Sequence, residues 1–309
     1  MLEVGGTHAA ASWVEDGNWT VAAAPAGRLD LPSDGSADDL LAAFARCVTA
    51  LGPLGGSTLA VAMPGPFDYD SGVGRFTGVG KFDALNGVDV GAGVRERIAE
   101  PPERIVFVND AAAFGLGEWL VGGGAGRQRI VAITLGTGVG SAFVDSGTLV
   151  SSWPLVPPEG HVYWLEIDGR PLEDTVSRRA MLARYRASAT GSRNPDVDVR
   201  RIAELAASGD ADARDAFIEP LRALGTALAP WLQRFAAQTV VVGGAMSESW
   251  ALVEPALRAG LRGTAAAELP IVRTNDADVA TAAGAAWHAV GGIEQPAQDV
   301  PAVNRGEER

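Results

Sequence analysis

The chain has 309 residues, 47 % of them hydrophobic and 20 % charged, with a net charge of −13; this length suits two domains of roughly 150 residues, and the apolar share suits packed cores rather than disorder. The acidity, with a pI near 4.7, argues against nucleic acid as the main partner, because phosphate backbones are held by basic surfaces, but it leaves small phosphates open, because backbone N–H groups can hold those. Cys47 is the only cysteine, which rules out an internal disulfide. No apolar run reaches the roughly 18 residues of a membrane span, and Met1-Leu2-Glu3-Val4 is no signal peptide. A cytoplasmic protein with no membrane partner is expected.

Taken in chain order, strand-like and helix-like segments alternate. Leu2 to Val4 and Ala9 to Val14 are apolar stretches around a glycine turn. A turn at Asp16-Gly17-Asn18 leads to a short strand over Thr20 to Ala24. Leu40, Leu41, Phe44 and Val48 recur three or four apart and predict a helix over Ala37 to Leu51. Thr58 to Met63 reads as a strand halted by Pro64-Gly65-Pro66. A helix over Asp89 to Ile98, a strand over Ile105 to Val108 and a helix over Ala111 to Leu120 follow. Arg129 to Thr134 and Ser141 to Val144 read as strands joined by glycines. Arg178 to Arg186, Asp196 to Ala207 and Asp210 to Phe235 read as helices, with Pro220 and Pro230 placed to kink or divide the last. A strand over Thr239 to Val242 and helices over Trp250 to Leu261 and Asp278 to Val290 complete the pattern, and the tail from Gly291 reads as a loose end. The alternation predicts an α/β fold. The similar openings of the two halves suggest a duplicated architecture around a cleft.

Four groups of residues carry candidate chemistry. Gly5-Gly6-Thr7 and Gly136-Thr137-Gly138 lie between apolar stretches, where glycines let backbone N–H groups converge on an anion and hydroxyls add a donor. They also read as ordinary hairpins. Neither has the lysine of a P-loop, and neither opens a helix as a dinucleotide fingerprint does. Asn109-Asp110 ends a buried-looking strand, a position from which a carboxylate can orient a hydroxyl and take its proton, or from which either residue can cap the next helix. Glu159-Gly160-His161, with Leu172-Glu173-Asp174 beyond, gathers groups able to bind several hydroxyls. Gly243-Gly244 follows a strand and can cradle an adenosine or make a tight connection. His8 and His288 carry no assigned role.

The order of these motifs resembles the ROK family (repressors, uncharacterised reading frames and sugar kinases) from residue 2 to about residue 290. Glu3-Val4-Gly5-Gly6-Thr7, Pro64-Gly65-Pro66, Asn109-Asp110-Ala111, Leu135 to Gly140, Gly160-His161, Leu172-Glu173 and Val242-Gly243-Gly244 carry the resemblance. It implies an actin-like ATPase (ribonuclease H-like) fold of two α/β domains hinged around a nucleotide and sugar cleft. The smaller domain is expected at 1–112 plus a returning helix at 286–309, the larger at 113–285. It implies ATP held by Gly5, Gly6, Thr7, Gly136, Thr137 and Gly138, with Gly243 and Gly244 by the adenosine, and Mg2+ on the phosphates. It implies a sugar bound by Gly65, Asn109, Asp110, Glu159, His161 and Glu173, with Asp110 as catalytic base, and phosphorylation of a hexose such as glucose at O6. A homodimer is the family's expected assembly.

Three departures bear on these expectations. Glu3 stands where the family's first motif has Asp. Glu159 abuts Gly160, where the family has an intervening residue. The stretch Val162 to Pro171 is short and lacks the cysteines of zinc-binding members, so no structural zinc is expected and the loop must be held by packing, for which Tyr163 and Trp164 are candidates. The family's repressors carry a DNA-binding segment ahead of the first strand. Here only Met1 precedes it, so the expectation is a kinase, with a catalytically silent sugar-binding or sugar-responsive protein as the alternative.

Overall fold

The computed structural model describes residues 1–22, 27–32, 34–78, 80–190 and 196–291. Five strands build a first sheet: β1 (Leu2–Val4), β2 (His8–Ala11), β3 (Gly27–Asp30), β4 (Thr58–Met63) and, after the short hairpin of β5 (Phe67–Asp68) and β6 (Val73–Gly74), β7 (Arg104–Asn109). Their spatial order is β3-β2-β1-β4-β7. β1, β2 and β3 pair antiparallel, while β1, β4 and β7 run parallel. α1 (Ala37–Thr49) covers one face with Leu40, Leu41, Phe44 and Val48, and a capping box at Ser36 and Asp39 starts it. α2 (Val90–Arg95) is shorter than its sequence suggests, ending before Ile98.

α3 (Asp110–Leu120) leads to a second sheet of β8 (Arg129–Leu135), β9 (Val139–Asp145), β10 (Thr148–Leu149), β13 (Thr239–Gly243) and β14 (Ile271–Arg273), in the order β10-β9-β8-β13-β14. Its pairing repeats the first sheet: antiparallel on one side of β8, parallel on the other. The duplication suggested by the two glycine turns therefore extends to the whole sheet. Between its strands lie the small hairpin of β11 (Glu166–Ile167) and β12 (Arg170–Pro171), then α4 (Glu173–Val176), α5 (Arg178–Arg186), α6 (Val199–Ala207), α7 (Ala211–Phe235) and α8 (Trp250–Leu261). α9 (Ala277–Ala289) ends the described chain.

Two expectations change. Of the strand sought at Thr20 to Ala24, the described residues 20–22 form only an isolated bridge between Val21 and Val14, Ala23 and Ala24 lie outside the described residues, and the edge strand is β3. α7 runs unbroken through Pro220 and Pro230. An interior proline costs a helix about 3 kcal/mol, but α7 buries Phe217, Leu221, Leu224, Leu228, Leu232 and Phe235 along one stripe, each at about 1.5–3 kcal/mol. The tail lies outside the described residues.

The sheets meet through α3 and α9, which occupy equivalent places after the last strand of each half. Asn109 caps α3 by accepting from the N–H of Ala112, and Asp276 caps α9 by accepting from that of Val279. Four residues past each cap stands an alanine, Ala113 or Ala280, and eight past it a glycine, Gly117 or Gly284. A methyl group on Gly117 would collide with the backbone of Ala280, and one on Gly284 with that of Ala113. The helices thus cross backbone to backbone. Ala282, Ala285 and Ala289 of α9 pack with Ala60, Ala62 and Val108 of the first sheet, whereas Phe114 and Leu116 of α3 pack with Ile130, Ala132 and Val241 of the second.

Candidate functional site

The first hairpin closes through Gly5 N–H donating to the His8 carbonyl at 2.8 Å, and the second through Gly136 N–H donating to the Gly138 carbonyl at 3.0 Å. The N–H groups of Gly6 and Thr7 in one turn, and of Thr137 and Gly138 in the other, have no protein acceptor among the described residues. Both turns are therefore sets of free donors, which is what an anion needs from backbone.

α3 gathers the rest. Asn109, not Asp110, is its cap, which leaves Asp110 at the first helical position with Oδ1 accepting from the N–H of Ala111 at 2.8 Å. Ala111 lies against Gly140 of β9, so the start of α3 abuts the second hairpin's strand. On the other side, Glu3 of β1 lies close enough to Asp110 and Asp278 for their charges to act on it. Burial, then Asp278 and Asp110, push the Glu3 carboxyl up to about 7, against the pull of Arg28. Burial also raises Asp110, opposed by its hydrogen bonds with the Ala111 and Asp110 backbone and with Asn109. A carboxylate with a raised pKa is a better base than an ordinary one.

The loop after β4 reaches the same place. The Asn109 Nδ2 donates to the Tyr69 hydroxyl at 3.0 Å, which donates to the Met63 carbonyl at 3.2 Å. A methyl on Gly65 would stand 3.4 Å from that hydroxyl. Burial raises Tyr69, with charges on Asp110 and Tyr163 adding to the rise. Tyr69 thus faces both Asp110 and the loop of the second half.

In that loop the Ser141 hydroxyl donates to the Gly160 carbonyl at 2.7 Å and accepts from the Val162 N–H at 3.0 Å, gripping the chain on both sides of His161. Glu159 and Gly160 both have positive φ, 57° and 75°. The Glu159 side chain is 79 % exposed and stands 3.5 Å from His161 Nδ1. Burial lowers the His161 pKa, so the ring is neutral near pH 7. Nδ1 shares a hydrogen bond with the Tyr163 hydroxyl at 3.1 Å, which leaves Nε2 as the ring nitrogen open to a ligand. Tyr163 stacks on His161 at 4.9 Å between centroids, while Trp164 is 60 % exposed. Of the two aromatics expected to hold the loop, Tyr163 holds it.

Glu173 accepts from the N–H of Val139 at 3.0 Å, and a methyl on Gly138 would stand 2.7 Å from its Oε1. It therefore supports the second hairpin from behind. Gly243 is buried against Phe114, and Gly244, at φ 82°, lies on the backbone of Leu135 just ahead of that hairpin. Sequence reasoning missed Tyr69 and Ser141, because each acts through a contact far along the chain. It also missed β14, whose three residues carry too short a pattern to read.

Among the described residues, no group of three or more His, Cys, Asp or Glu is arranged to hold a metal ion, and no helix is long and apolar enough to cross a membrane.

Residues 1–291 match the ROK family. The chain belongs to that family. Among its relatives is a protein named glucokinase in Thermotoga maritima, 30 % identical over 226 residues that span 65 % of this chain and 67 % of the relative. The ROK fold recurs in a crystal structure of a ROK family glucokinase from Streptomyces griseus in complex with glucose and AMPPNP. The TM-score is 0.71 at 20 % identity, covering 94 % of this chain and 98 % of that one. A ROK family transcriptional regulator, a homolog of the E. coli MLC protein, superposes with a TM-score of 0.72 at 20 % identity, covering 92 % of this chain and 76 % of that one. The ROK chain described here has the actin-like ATPase fold, with its two sheets.

Proposed function

We propose that this chain is a sugar kinase that transfers the γ-phosphoryl group of ATP to a hexose hydroxyl, with O6 of glucose as the first acceptor to test. The observation that carries this reading is the convergence at the start of α3. Asp110 there neighbours Glu3 on the first hairpin's strand, and Ala111 touches Gly140 on the second's. The glucokinase name of the relative and the glucose and AMPPNP of the related structure support it. We divide the chain into a domain of 1–112 plus 286–309, which takes the end of α9, and a domain of 113–285, with the cleft between them.

In this mechanism Asn109, His161 Nε2 and Glu159 bind sugar hydroxyls, and Gly65 leaves room for the ring. Glu173 acts through the hairpin it supports. Asp110 orients the acceptor hydroxyl and takes its proton as the oxygen bonds to the γ-phosphorus; the bond from that phosphorus to the bridging oxygen breaks, and ADP leaves with the electron pair. The free N–H groups of Gly6, Thr7, Thr137 and Gly138 hold phosphate oxygens in line, with Gly243 and Gly244 toward the adenosine. Mg2+ offsets phosphate charge when bound. Glu3, a buried carboxyl near Asp110 and Asp278 with Arg28 as the cation that acts on it, is the residue of this chain that would face the ion. Such chemistry belongs in the cytoplasm, where ATP is made.

The test is an ADP-release assay over a panel of hexoses, with the phosphorylated product identified by mass spectrometry. Turnover by the wild type and its loss in Asp110→Asn, with sugar affinity kept, are expected. Near-normal turnover in Asp110→Asn would remove that residue from its role. The fold shared with a transcriptional regulator favours a second reading, a sugar-responsive protein without catalysis. Sugar binding with no ADP release from any hexose would establish it.

A further inference from the structure

Lys81 is the only lysine of this chain; the other 24 of its 25 lysine and arginine side chains are arginines. Its ammonium rests on the first glycine hairpin. A methyl group on Gly6 would overlap Lys81 Nζ and stand 3.5 Å from Cε and 3.6 Å from Cδ. The end of the side chain thus lies along the glycine backbone, on ground that any larger residue would occupy.

This placement is anchored. The neighbouring Phe82 is 1 % exposed, as is Phe76, and the two rings pack at 5.7 Å between centroids. Phe76 packs in turn on Phe67 at 6.2 Å. Phe82, the residue next to Lys81, is therefore pinned to the first core. The charge of Lys81, however, is unmatched. Among the described residues no carboxylate forms an ion pair with Lys81, although ten such pairs with arginine are present, and no acceptor takes a hydrogen bond from it. An ammonium carries three donors and no acceptor, and beside it the N–H groups of Gly6 and Thr7 are also without partners. A fixed cation and two free amides on one turn form a donor set with no anion.

We propose that Lys81 binds the terminal phosphoryl group of the nucleotide at the first hairpin, neutralising charge on its oxygens as the bond to the leaving phosphate breaks. This rests on the kinase reading above. Lys81 makes and breaks no covalent bond and moves no proton. A compact ammonium suits this place better than a guanidinium, because it can follow an oxygen through transfer without a fixed planar geometry. The contact is with the transferred group, so the residue distinguishes a triphosphate from a mono- or diphosphate rather than one sugar from another.

The experiment compares wild type, Lys81→Met and Lys81→Arg by calorimetry with AMPPNP plus MgCl2, with AMP, and with glucose, alongside ATP kinetics and thermal melts. Lys81→Met is expected to lose about 100-fold in kcat/KM for ATP, the scale of one lost transition-state donor. It should lose AMPPNP affinity by tenfold or more while keeping wild-type affinity for AMP and glucose, and Lys81→Arg should recover most of the AMPPNP affinity. Wild-type AMPPNP affinity and kcat/KM in Lys81→Met would overturn the proposal, as would equal losses for AMP and AMPPNP. The wild-type protein provides a second measurement free of folding effects. Acetic anhydride can acylate only one lysine, and peptide mass spectrometry should find Lys81 protected by AMPPNP plus MgCl2 but not by AMP. Equal acylation in both would also count against it. Should the wild type release no ADP with any hexose, the kinase reading fails on its own, while the AMPPNP binding and protection results still decide whether Lys81 meets a terminal phosphate.

Discussion

Tyr69 accepts a hydrogen bond from Asn109 at 3.0 Å and passes its own proton toward the Met63 carbonyl at 3.2 Å. The residue that caps α3 is thereby tied to the loop after β4. Tyr69→Phe keeps the buried ring and removes only the hydroxyl, leaving Asn109 Nδ2 without that acceptor. A loss of about 1 kcal/mol in urea-denaturation stability is expected. In steady-state kinetics the KM for sugar should rise more than kcat falls, because Asn109 is loosened while Asp110 is untouched. A fall in kcat at constant KM would show that the hydroxyl acts on the transfer step instead.

Glu3 gives a pH signature in stability. Its folded pKa, near 7, lies above the ordinary 4.5, so the native state holds this proton more tightly than the unfolded state does. Its burial is harmless below about pH 4.5 and increasingly destabilising as pH rises through 7. Glu3→Gln should therefore match the wild type at pH 4.5 and exceed it by up to about 3 kcal/mol at pH 8. Urea melts at the two pH values measure this, and equal stabilities at pH 8 would show that Glu3 is ionised at little cost.

Asp110 must be ionised to accept a proton, and burial raises its pKa. The acid limb of kcat/KM should lie above the ordinary carboxylate range. A rate–pH profile checks this, and an acid limb inside the ordinary carboxylate range would show that Asp110 ionises at no cost from its burial.

Gly117 and Gly284 predict a reversed sign. In an exposed helix interior, Gly→Ala stabilises by about 1 kcal/mol. Here each added methyl meets the backbone of the other helix, and overpacking of this kind costs about 1–3 kcal/mol. Both single alanine variants should melt lower than the wild type. Gly91→Ala in α2, whose methyl would meet only ordinary contacts at 3.4 Å or more, should not.

Much of this was legible before any coordinates. Thr58 to Met63 matches β4 residue for residue, and Asp210 to Phe235 matches α7 to within one, because apolar periodicity and an aspartate cap are local signals. The two glycine turns stood out by composition. What could not be read depends on distance along the chain. Tyr69 reaches Asn109 across 40 residues, and Lys81 reaches Gly6 from a loop with no regular pattern. Pro220 and Pro230 misled because local propensity is overridden by the core that α7 buries. The position of Asp110 one residue past the cap needed geometry, since Asn109 and Asp110 are equally able to cap a helix.

The repeated sheet order and the crossing of α3 with α9 mean that the chain carries two copies of one framework whose equivalent places hold different side chains. Just after its cap, one helix begins with Asp110 and the other with Ala277. The second copy thus has the scaffold without the carboxyl that the proposed mechanism uses, and is free to serve as the wall against which the first would work. In a molecule built by repetition, the asymmetry on which chemistry depends comes down to which side chain follows each cap.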